Sequence, residues 1–94
     1  MNAHTPKRIL LIMEDSHLAL ALEVVFREQG NILRWESDTT SAVQAMREFK
    51  PDVMLTASPF AVFISSPKSE EIGELSRPVD PGELQTLIES RFSH

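Results

Sequence analysis

Apolar and polar positions fall along this chain in blocks whose lengths separate strands from helices. Ile9-Leu10-Leu11-Ile12-Met13 is an unbroken apolar run of strand length, introduced by Lys7 and Arg8. Continuous apolarity points to a strand covered on both faces, as in a parallel sheet with helices above and below. Glu14-Asp15-Ser16 follows, and each of these residues can cap a helix. Leu18, Leu22, Val25 and Gln29 then recur on one helical stripe, widened by Leu20, Ala21 and Val24, until Gly30 supplies a stop. Ile32-Leu33-Arg34-Trp35-Glu36 alternates weakly, as a short edge strand does. Ser37-Asp38-Thr39-Thr40-Ser41 offers caps for a second helix with Ala42, Met46 and Phe49 on its stripe, joined by Val43 and Ala45. Pro51 closes that helix, because the residue before a proline avoids helical dihedrals.

Val53-Met54-Leu55-Thr56-Ala57 is a third strand, so the first half reads β-α-β-α-β, a parallel sheet with right-handed crossovers. Then the rhythm breaks. Only Ser58-Pro59-Phe60 separates this strand from Ala61-Val62-Phe63-Ile64. A parallel crossover takes a dozen or more residues, so these two runs form an antiparallel hairpin. The polar stretch 65–73, with Pro67, reads as loop, and Glu74-Leu75-Ser76 as a short last strand. The final helix is well marked: Asp80 is its N-cap, Pro81 its first residue, and Glu83 stands at the capping-box position. Val79 and Leu84 make a hydrophobic staple, and Leu84, Leu87, Ile88 and Phe92 form the buried stripe.

Composition narrows the function classes. The chain has 94 residues, 41% of them hydrophobic, which suits one globular domain. It has no cysteine, which removes disulfides, thiolate metal ligands and thiol nucleophiles. A net charge of -5 opposes a large phosphate-contacting surface, so nucleic acid is not an expected partner. No apolar run is long enough to span a membrane, and the one after Lys7-Arg8 is too short for a signal-peptide core. The expectation is a small, acidic, cytoplasmic domain with no membrane association. His4, His17 and His94 have no ligand-set spacing, and no Gly-rich phosphate loop or serine with a paired base occurs, so no enzyme signature and no cofactor are expected.

Four segments resemble the receiver domain of two-component response regulators. Lys7 to Asp15 looks like that family's first strand with its acidic end, and Gly30 falls where its first helix stops. Phe49-Lys50-Pro51-Asp52-Val53-Met54-Leu55 looks like the approach to the phosphorylation site. Ser76-Arg77-Pro78-Val79 before Asp80-Pro81-Gly82-Glu83-Leu84 is similar to the lysine-proline motif ahead of the last helix. The resemblance implies an α/β fold: a flavodoxin/receiver-like three-layer sheet of order 2-1-3-4-5. It is shortened here, with the third helix missing and strand four antiparallel.

The departures carry the functional expectation. The phosphoacceptor position is Ala57, which has no oxygen to act as nucleophile. The acidic pair falls on Met13 and Glu14, with Asp15 just beyond, or on Glu14 and Asp15 after a one-residue slip. Ser65 takes the position of the hydroxyl that senses the phosphoryl group, and Arg77 that of the lysine. Met13, Glu14, Asp15, Ser65 and Arg77 thus outline a degenerate acidic pocket. For Glu14 and Asp15, negative charge at a helix start is the leading reading, ahead of a weak divalent-cation site. Arg77 is expected to neutralise one of them.

Missing helices would leave the last strands uncovered, yet Phe60-Ala61-Val62-Phe63-Ile64 is apolar throughout. Phe60, Val62, Phe63 and Ile64 are therefore expected to form an interface, with a lid formed by 65–73 and Ile72 as the alternative. The functional expectation is a non-phosphorylatable signalling module that binds a protein partner or a second copy of itself. The alternative is a metal- or phosphoryl-responsive receiver using Glu14, Asp15 or Asp52.

Overall fold

A computed structural model describes residues 6–67 and 69–91. His4, Phe92 and His94 lie outside the described residues. The elements in chain order are β1 (Arg8–Ile12), α1 (Ser16–Glu28), β2 (Ile32–Glu36), α2 (Thr39–Phe49), β3 (Val53–Ala57), β4 (Ala61–Ser66), β5 (Ser69–Ser76) and α3 (Pro81–Arg91). The strands form a single mixed sheet of order β2-β1-β3-β4-β5. β1 pairs in parallel with both β2 and β3, whereas β3–β4 and β4–β5 are antiparallel. The short 58–60 connection thus does what its length requires, reversing the chain where a crossover helix would otherwise stand.

Local signals explain the helix boundaries. Among the candidate caps the fold selects Asp15, whose Oδ1 accepts the Leu18 amide at 3.0 Å. Asp38 does the same for α2, accepting from Ser41 N at 2.8 Å. Gly30, with φ 86°, takes the left-handed conformation that ends the first helical segment. Lys50, with φ 52°, plays that part after α2, ahead of Pro51. Asp80 Oδ1 accepts from Gly82 N at 2.9 Å at the start of α3.

The helices divide between the two faces of the sheet. α1 and α3 bring Ala19, Leu22, Phe26, Leu84 and Ile88 onto Ile9, Leu11, Met13, Val53, Leu55, Val62 and Ile64. On the opposite face, α2 sets Ala45 and Phe49 against Leu10, with Ile12 and Met54 at the margin. α2 lies over β1 and β2. Among the described residues no helix covers the β4–β5 half of that face.

The structure revises three parts of the sequence-based expectation. In α1 the buried stripe is Ala19, Leu22 and Phe26, while Leu20 and Val24 stand exposed. In α2 it is Ala42, Ala45 and Phe49, with Val43 and Met46 outside. Most of the stretch read as loop, 65–73, is strand: Ser65 and Ser66 close β4, and β5 begins at Ser69. Ile72 is therefore no lid. It pairs across the ladder with Ser65 and is 69% exposed on the open face.

Candidate functional site

The carboxyl ends of β1 and β3 open into a cleft of about 520 Å³. Parallel strands put their following loops at one end of the sheet, and ligand crevices of α/β folds lie there. Ile12 at the end of β1 and Glu14 and Asp15 after it, Ser37, Asp38 and Thr39 at the start of α2, and Thr56 to Pro59 at the end of β3 and the turn beyond it line the cleft. Arg77 closes the ring from the β5–α3 connection. It arrives there because the antiparallel meander through β4 and β5 returns the chain to the end of the sheet where β3 finished.

The guanidinium of Arg77 makes two hydrogen bonds within this cleft. Its Nη2 donates to Asp15 Oδ2 at 2.6 Å and its Nη1 to the Ser58 carbonyl at 3.0 Å. Arg77 N also donates to the Phe60 carbonyl at 2.9 Å. Arg77 thereby ties the start of α1 and the β3–β4 turn to the β5–α3 connection. The turn itself is organised by Ser58, whose Oγ accepts from the amides of Phe60 at 3.2 Å and Ala61 at 3.1 Å. Both oxygens of Asp15 are spoken for, one by its own helix and one by arginine. The Leu18 amide first, and then the Arg77 hydrogen bond, hold the Asp15 carboxyl below its ordinary value of 3.8.

A depressed carboxyl contributes stability above its ordinary value, and that contribution disappears as pH falls through the lower folded-state value. Asp15→Asn keeps a competent N-cap but removes the charge. The variant is expected to melt below the parent at neutral pH, and the gap is expected to close as the pH falls from about 5 towards about 2. Thermal unfolding followed by circular dichroism across that range checks it; a gap independent of pH would contradict the assigned role of the charge.

The structure keeps only part of the expected pocket. Glu14, Asp15, Ala57 and Arg77 do converge on the cleft. Met13 does not: its side chain is buried in the α1–α3 core, and its carbonyl accepts Trp35 Nε1 at 2.8 Å. Ser65 lies at the other end of the sheet, because antiparallel pairing sets it opposite Met54, whereas Ala57 meets Val62. Asp52, the other acidic candidate, is also at that far end, where Oδ2 accepts the Arg8 amide at 2.9 Å. Ser58 was missed as an arginine partner, since it contributes a backbone carbonyl and residue type carries no sign of that. Among the described residues, no group of three or more histidine, aspartate or glutamate side chains is placed to hold a metal ion.

The expected interface divides as well. Val62 and Ile64 are 0% exposed and belong to the core under α1 and α3, so they are not available to a partner. Phe63 points to the opposite, open face and is 39% exposed, while Phe60 in the turn is 82% exposed. Phe63 pairs with Glu74, and Ile72 stands two residues along from Glu74, a diagonal neighbour within reach of an aromatic ring. A separate apolar bay of about 400 Å³, lined by Met46, Lys50, Pro51 and Pro67, lies near the α2 terminus and the β4–β5 turn. No helix among the described residues is long and apolar enough to cross a membrane. The chain matches no protein-family model, and no curated protein matches it in sequence.

Proposed function

We propose that the chain is a receiver-like signalling module of the cytoplasm that takes no phosphoryl group and acts by binding protein, first of all a second copy of itself. The observation that carries the reading is the arginine clasp. At the place where a receiver would carry its acceptor aspartate stands Ala57, and the nearby cation, Arg77, is paired with Asp15 and bonded to the Ser58 carbonyl. An incoming anion would have to compete with an internal ion pair for that guanidinium. The loops that phosphorylation would rearrange are thus held in one arrangement without it. With chemistry removed from the cleft, recognition falls to the open half-sheet, where Phe63 and Ile72 are contiguous and Phe60 adds a rim. A two-fold axis through this face would bury the same residues on both copies, the simplest closed assembly.

Light scattering at micromolar concentration is expected to give a mass above the 10.6 kDa of one chain. Titration with magnesium and a phosphoryl analogue is expected to leave the amide resonances of residues 14–16, 57, 58 and 77 unmoved. A monomer without dye-accessible apolar surface would defeat the self-association. Saturable shifts around the cleft would instead support a phosphoryl- or metal-responsive receiver.

A further inference from the structure

We propose that the outer edge of β5, together with the groove between it and α3, accepts an extended, lysine- or arginine-bearing segment of a partner protein as a sixth strand. The proposal rests on the reading of the domain as a protein-binding module and supplies the chemistry of one partner. β5 is the last strand in the sheet order and, at eight residues, the longest. Among the described residues it pairs with β4 alone. Its other edge therefore presents a row of backbone donors and acceptors, which is a template for strand addition. Proteins blunt such edges with short strands, charged side chains (lysine above all), prolines or bulges. A charge of one sign blunts an edge against its like while leaving it open to its opposite. Ser69–Ser76 contains neither lysine nor proline and carries three glutamates.

That acidic run selects the occupant. A second copy would bring the same acidic strand alongside, and like charges opposed on a ladder destabilise it. A basic segment faces the opposite situation. Beside the edge lies a groove of about 630 Å³ with Leu75 and Leu87 in its lining and Glu74, Asp80 and Glu83 around them. Among the described residues, no lysine or arginine lines it. Alternate side chains of an added strand point to opposite faces, so one apolar set would meet Leu75 and Leu87 in the groove and the other Ile72 on the open face. Basic residues between or flanking them would meet the carboxylates. Self-association through the open face and strand addition at the edge are thus distinct uses of neighbouring surfaces.

The probe is a synthetic peptide of roughly eight residues alternating lysine with valine or leucine, long enough to match β5. The full chain is titrated with it and with a counterpart in which glutamate replaces lysine, following amide resonances. Saturable shifts concentrated at Ile72–Ser76 with the lysine peptide, and binding at least about tenfold weaker with the glutamate peptide, are expected. The paired substitutions Glu74→Lys and Glu83→Lys, at exposed positions, are expected to reverse that preference. N-methylation of alternate amides on the pairing edge of the peptide is expected to abolish binding, which separates strand addition from simple charge attraction. Equal binding of the two peptides, shifts elsewhere, or full binding by the methylated peptide would overturn the proposal. Light scattering without peptide reads self-association independently, so failure of the edge and failure of the open-face dimer are told apart.

Discussion

Val62→Asp is expected to leave the chain unfolded at neutral pH, whereas Phe63→Asp, one residue along, leaves it folded. Neighbours in a strand face opposite sides of a sheet. Val62 is 0% exposed, between Ala57 and Leu75 on the face covered by α1 and α3. An unpaired carboxylate there costs several kcal/mol, or the position must protonate or open. A domain of this size has roughly 5–14 kcal/mol of total stability, so this one change removes most of it. Phe63 faces the open side, flanked by Thr56 and Glu74. Aspartate there loses part of an aromatic contact and meets a like charge, together about 1–2 kcal/mol. Far-UV circular dichroism separates the two outcomes at once. Light scattering on Phe63→Asp then tests the proposed assembly, because a dimer formed through this face is expected to become a monomer while secondary structure persists. Similar losses of structure in both variants would mean that the two faces of β4 are not divided as described.

The same division shows what the sequence could and could not disclose. In β4 the apolar run looked buried on both sides because hydrophobicity alone cannot distinguish a covered face from a sticky one. Which set is covered depends on where α3 lands, and that is set by the meander and not by β4 itself. The first part of β5, 69–73, went unrecognised for a related reason, whereas 74–76 reads as strand. Its outward position 72 is isoleucine, and its inward position 73 is glycine, the reverse of the usual pattern. At the glycine Leu87 of α3 packs close: a Cβ there would stand 3.3 Å from Leu87 Cδ2. Packing has removed the side chain that would have signalled a strand. By contrast the caps at Asp15, Asp38 and Asp80, the stop at Gly30 and the hairpin at 58–60 are local devices, and local devices are legible. The clasp was half legible. Charge and strand order bring Arg77 to the acidic end of β1, but its second partner is a main-chain oxygen. Ser65 was carried to the wrong end of the sheet by treating strand four as though it ran parallel, as in the resembled family.

Phe26→Ala is expected to cost about 3–5 kcal/mol, the largest effect of any truncation in α1. Helical phase decides this. Phe26 shares its face with Ala19 and Leu22, and all three lie in the core beneath the sheet, with Phe26 0% exposed. Leu20 and Val24 occupy the outward face, at 62% and 51% exposed. Truncating Phe26 empties a ring-sized volume shared with strands and α3, and a packed core relaxes only partly around such a hole. Truncating Leu20 or Val24 removes atoms that water already reaches, so each is expected to stay within about 0.5 kcal/mol of the parent. Val24→Ala even gains slightly in helix propensity, because a β-branched side chain is replaced by the best helix former. On the temperature scale Phe26→Ala corresponds to a fall of roughly 15–30 °C in Tm for a domain of this length. Urea unfolding of the three variants checks the order. A larger loss at Leu20 or Val24 than at Phe26 would place the opposite face of α1 against the sheet, and with it displace the start of the helix, Asp15 and the arginine clasp that the proposed function rests on.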